Sequence, residues 1–245
     1  MSVGGWQRDS VVLTVNGNRR DALLTETWRQ GFDPTWITFG EPRPILTTDR
    51  TGVRSLLTNG DGRFHSGAMT RADFAVSHGL SLSTTISTPI TFSQWQELEL
   101  EMNWAVDTAA VRRWDNRAGY FWNGDRVTDP SARCGFKYPF GPEGTRYGNT
   151  FETRGSDSTA IDSASASMRA GRWTKLSLQL FPDGRCGLAI NGTAIAIIGA
   201  SATRQSPLPA RVHVIVMGST YRTSVLVGPI TLREGVDTTI DWNRP

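Results

Sequence analysis

Three carboxylates at alternate positions, Glu97, Glu99 and Glu101, are the side chains of this sequence best placed to do chemistry. In an extended strand, residues i and i+2 share a face about 6.6 Å apart, so the three acids line one surface. Glycoside hydrolysis with retention needs two carboxyl groups roughly 5–5.5 Å apart, a separation that inward-leaning neighbours approach. The same alternation has a plainer meaning. Leu98, Leu100 and Met102 fill the positions between, so the segment also reads as a strand with an apolar core face and a solvated acidic face. The plainer reading is preferred, and it expects these acids to be wet.

Aromatic residues form a second group. Ten of the 23 aromatics lie between Trp104 and Phe151, in a stretch rich in Gly, Asp, Asn, Ser and Arg that reads as loop with short extended pieces. Loops on a rigid scaffold commonly carry binding function, and an aromatic ring offers a flat apolar platform with a polar edge. Sugar rings present C–H faces suited to such platforms, which makes Trp114, Tyr120, Trp122 and Tyr138 the preferred ligand contacts. The competing expectation is a satellite core made by loops folding back over their own rings. Asp115, Asn116, Asp125 and Asp129 offer oxygen ligands of the kind calcium takes. Their spacing matches no ion loop, and solvated turns are the preferred reading. No cofactor is expected, with calcium at Asp125 and Asp129 kept open.

These candidates need a scaffold, and residues 172–198 say most about it. RWTKLSLQLF-PDG-RCGLAI-NG-TAIAII reads as two consecutive hairpins: Leu176, Leu178 and Leu180 alternate with Lys175, Ser177 and Gln179. Asp183-Gly184 and Asn191-Gly192 supply the positive φ that tight hairpin turns require. The pattern predicts Leu176, Leu178, Leu180, Leu188 and Ile190 buried, with Lys175, Ser177 and Gln179 exposed. Further strands are predicted over 74–86, 95–104, 212–217, 224–227 and 230–233, an N-terminal hairpin around Asn16-Gly17, and another turn at 59–62. Residues 107–114 have the makings of one or two helical turns. Pro34, Pro42 and Pro44 exclude long regular elements from the Trp-bearing stretch around them.

Composition narrows the field. The chain has 245 residues and a net charge of +3, with 38% hydrophobic and 20% charged residues. Those are the proportions of an ordinary globular protein, and sandwiches of this size often form one domain. One domain spanning 1–245 is expected, since no linker, composition shift or repeat divides the chain. All its basic residues are Arg except Lys137 and Lys175, and they are scattered rather than gathered in a stripe, which argues against a nucleic-acid partner. No apolar run reaches the ~20 residues of a membrane span, so no insertion by this chain is expected, while an anchor outside it is kept open. Cys134 and Cys186 are either one disulfide or two buried thiols. His65, His78 and His213 are scattered, and no G-x-S-x-G elbow or phosphate loop is present.

The run RWTKLSLQLFPDGRCGLAINGTAI, followed by VLVGPITLREG, resembles the concanavalin A-like lectin/glucanase superfamily, in particular its laminin-G-like jelly rolls. The stretch FHSGAMTRADFAVSHGLSLSTTISTPITFSQWQELELEMNW is similar to their earlier strands. The resemblance covers about two-thirds of the chain and implies an all-β, two-sheet antiparallel jelly-roll sandwich with long loops on one face. It also suggests the extracytoplasmic domains of bacterial kinases and envelope proteins. Some glycosidases of the superfamily carry a Glu-x-Asp-x-Glu strand whose outer carboxylates act as nucleophile and acid/base, which would give those roles to Glu97 and Glu101. Here Glu99 replaces the central Asp. Because this fold hosts many functions, the leading expectation is a non-catalytic binding or sensor domain outside the cytoplasm, with a glycan or protein partner. The alternatives are a glycoside hydrolase and a structural subunit of an envelope assembly.

Overall fold

The structure, a computed structural model, describes residues 22–32, 34–40, 43–58, 66–87, 96–104, 133–138, 150–153, 159–162, 171–198, 210–220 and 225–243. Strands are numbered in chain order. The first sheet runs β14 (Thr193–Ile198), β13 (Cys186–Ile190), β12 (Trp173–Leu180), β7 (Leu80–Ser87), β16 (Val225–Val227), β4 (Arg54–Thr58) and β3 (Ile45–Thr48). Also on β7 is β17 (Ile230–Glu234), which in turn carries β1 (Ala22–Glu26). The second sheet runs β11 (Thr159–Asp162), β10 (Thr150–Thr153), β9 (Arg133–Tyr138), β8 (Gln96–Asn103), β15 (Arg211–Thr220), β5 (Ser66–Thr70) and β2 (Trp36–Gly40), with β6 (Phe74–Ala75) on β15. Every pairing described is antiparallel. No helix occurs among the described residues, and so none that is long and apolar enough to cross a membrane. Leu82, Leu178 and Leu188 of the first sheet belong to one buried cluster with Leu100, Phe136 and Val216 of the second, as two sheets packed face to face require.

The double hairpin is built as its alternation demands. Leu178 stands opposite Leu188 on one side and Leu82 on the other, and Leu176 pairs with Ile190. At the second turn, Asn191 has φ 52° and Gly192 φ 84°, the two positive values of a type I′ hairpin. The Asn191 side-chain oxygen also accepts the Lys175 N–H at 3.0 Å. Leu176, Leu178, Leu180, Leu188 and Ile190 are buried and Lys175 is exposed, as expected.

Ser177 and Gln179 depart from expectation: both are buried. Gln179 Nε2 donates to the carbonyls of Leu80, Leu180 and Gly235, and its Oε1 accepts the Asp237 N–H at 2.9 Å. The chain after β17 thus crosses back over the outer face of its own sheet. Trp242 completes the crossing. It packs edge-on to Phe181 with ring centroids 5.8 Å apart, in a cluster with Ala189, Ala194 and Ile240. Gly187 makes this approach possible, since a Cβ there would come within 2.7 Å of the indole.

The stretch predicted as one strand over 74–86 is broken. Gly79 N–H closes a turn on the Val76 carbonyl, and Val76 N–H donates to Ala210, so β6 joins the second sheet and β7 the first. In the Trp-bearing stretch, Trp28 is wholly buried and donates its indole N–H to the Gly228 carbonyl at 2.7 Å. Pro229 lacks the N–H a continuous ladder needs, and the chain divides there into β16 and β17. The sequence-predicted hairpin around Asn16-Gly17, the 59–62 turn and the helical turns at 107–114 lie outside the described residues.

Asp49 ties the β3–β4 turn to the start of β12. Its Oδ1 accepts the N–H groups of Thr51 and Val53 at 2.8 Å, and its Oδ2 accepts the Trp173 indole N–H at 2.6 Å. Desolvation pushes this carboxyl upward, but the Trp173, Thr51 and Val53 hydrogen bonds together outweigh it and lower its pKa to about 2. A folded-state pKa below the unfolded value of about 3.9 contributes stability that is present above pH 4 and lost as pH falls towards 2. Urea melts between pH 5 and 2 are therefore expected to show a declining stability that flattens in Asp49→Asn. An identical decline in the variant would remove Asp49 as its source.

Candidate functional site

The acids of β8 sit at the centre of the second sheet, on the face turned away from the core. Leu98, Leu100 and Met102 are buried in the shared core, so Glu99, Glu101 and Asn103 take the opposite face. Rows of side chains cross the sheet there. Glu101 lies between Ile215 and Gly135, and Ile215 is followed outward by Met69 and Ile37. Glu99 lies between Met217 and Lys137, and Met217 is followed by Gly67 and Phe39.

This face is closed to solvent, which corrects the expectation of a wet acidic strand. Glu101 is 0% and Glu99 6% exposed, and Ile37, Phe39, Met69, Ile215 and Met217 are buried with them. Asn103 Nδ2 donates to Glu101 Oε1 at 3.4 Å. His213, opposite Asn103, is half-buried and its Nδ1 meets the Thr70 carbonyl at 2.9 Å. Glu97 occupies the next backbone position of the row, opposite Ser219. The apolar wall around the acids was legible only in part. Ile37, Phe39, Met69, Ile215 and Met217 each alternate with core residues, but they come from strands that meet only through the sheet.

The other candidates divide. Tyr138 ends β9, opposite Leu98. Trp114, Asp115, Asn116, Tyr120, Trp122, Asp125 and Asp129 lie outside the described residues. Among the described residues, no three His, Cys, Asp or Glu side chains come together as metal ligands would. Cys134 of β9 and Cys186 of β13 form a disulfide with Cα atoms 5.5 Å apart, so a covalent link joins the two sheets through the core.

No protein-family model matches this chain, and no curated protein matches it in sequence. Similarity appears in three dimensions. Lectin II from Ulex europaeus superposes with a TM-score of 0.55 at 12% identity, over 88% of this chain and 100% of the lectin. A carbohydrate esterase of the Shiga toxin-encoding bacteriophage phi24B gives 0.54 at 12% identity, over 89% and 100%. The potassium-bound Emp46p carbohydrate recognition domain gives 0.51 at 10% identity, over 83% and 90%. The chain therefore has the two-sheet antiparallel jelly-roll sandwich of the concanavalin A-like lectins.

Proposed function

We propose that the chain is a single, non-catalytic binding or sensor domain that recognises a glycan outside the cytoplasm. The observation that carries this reading is the closure of the acidic row. A retaining hydrolase needs two carboxyl groups flanking the scissile bond, and a Glu101 with no exposed surface cannot touch a sugar. Lectin II and the Emp46p domain use the same sandwich, and their names describe carbohydrate recognition. The Cys134–Cys186 disulfide supports an oxidising compartment, because such bonds are rare in the reducing cytoplasm. Trp114, Tyr120, Trp122 and Tyr138 are the proposed platform for the glycan.

Glycoside hydrolysis is the second reading, favoured by the place of the row on a central strand and away from the core. A glycan-array screen run beside a β-glucan hydrolysis assay separates the two. The expected result is binding without turnover. Binding should weaken in Trp114→Ala or Trp122→Ala with less than about 1 kcal/mol lost in stability, as for residues outside the core. Turnover that disappears in Glu97→Gln would establish the hydrolase instead, and capture of a protein with no glycan bound would move the partner to that class.

A further inference from the structure

A second place in the fold has the marks of a ligand site. Where the chain after β17 crosses the first sheet, it leaves a cleft of about 210 Å³. The sheet's outer face forms the floor. Ser83 of β7 lies between Ser177 of β12 and Thr231 of β17, and Ser81 lies between Gln179 and Arg233. Asp237, Thr239 and Trp242 line the side formed by the returning chain. The floor is thus a row of hydroxyls on a rigid sheet.

One of those hydroxyls has nothing within the protein to bond. Ser177 is only 4% exposed, and its Oγ is buried without a hydrogen-bond partner. A buried polar atom in that condition costs about 1–3 kcal/mol, so it calls for a partner that the chain itself does not provide. Gln179 beside it is already engaged by four backbone groups.

The charges set the ligand's sign. Lys175 and Arg233 both border the cleft. The acids that accompany them are engaged. Glu234 contacts His78, and Asp237 Oδ1 turns back to accept the Thr239 N–H at 3.0 Å and its hydroxyl at 2.6 Å. The Lys175 ammonium has no ion pair among the described residues. A cleft below the ~300–1,000 Å³ of drug-sized pockets suits one small ring. We infer that this cleft binds an acidic monosaccharide: hydroxyls on the serine floor and one carboxylate toward Lys175.

The test is a titration of the full chain with glucuronate, followed by amide NMR, with glucose as the neutral control. Glucuronate is expected to shift the amides of Ser83, Lys175, Ser177 and Arg233, and glucose to shift them far less. Lys175→Met should weaken glucuronate about tenfold, the scale of one charge-assisted hydrogen bond. Ser177→Ala should weaken it severalfold while leaving the melting temperature unchanged or raised, because the unpartnered hydroxyl is gone. A merely structural Ser177 would do the reverse, lowering stability and leaving the titration unaltered. No shift at these amides, or equal shifts with glucose, overturns the inference. Glycan-array binding that survives Ser177→Ala belongs to the aromatic platform, so the two proposals fail separately.

Discussion

Cys134→Ala combined with Cys186→Ala is expected to lower stability by about 4 kcal/mol. The bridge closes a loop of 52 residues, and the chain-entropy relation for a loop of that length gives about 4 kcal/mol at room temperature. Both cysteines are buried, at 0% and 2% exposure, so nothing solvates the cut ends in the folded state. Alanine leaves no buried hydroxyl behind, which keeps the measurement on the cross-link. For a chain of this size the loss corresponds to a fall in melting temperature of roughly 8–16 °C. Urea unfolding of the double variant, beside wild type with and without reductant, reads it directly. A loss below about 1 kcal/mol would show that the inter-sheet link adds little to this sandwich.

Leu178→Ala is the second large effect, at about 2–5 kcal/mol. Leu178 has no exposed surface and sits mid-strand with Leu82 and Leu188 on either side. A leucine hemmed in by two paired strands has little room to be replaced by relaxation of its neighbours, so the cavity persists. Lys175→Ala, three residues earlier but exposed, is expected to stay within about 0.5 kcal/mol. Equal effects from the two substitutions would mean that β12 does not present the face its alternation assigns.

The two substitutions mark where reading the sequence succeeds. Period-two alternation states which residues lie on opposite faces, and Asn191-Gly192 states where the strand must reverse. Both are local, set by the pleat and by φ, and both hold in the fold. The same alternation is silent on whether the second face is wet. Ser177 and Gln179 were expected in water, yet the chain's own return after β17, some sixty residues later, covers them. Glu99 and Glu101 likewise stand opposite Leu98, Leu100 and Met102 as the pattern requires, but on a face closed to solvent beside Ile215 and Met217.

The cysteines follow the same division. Their types and number left a bridge and two thiols equally open, since pairing depends on strands from different sheets meeting across the core. Local residue choice therefore decides strands, turns and the sandwich class, because each is governed by neighbours one to four positions away. Burial of the outer faces, the Cys134–Cys186 link and the serine-floored cleft are decided only in three dimensions. They arise where segments far apart in sequence pack together, and no short-range period encodes which of them will meet.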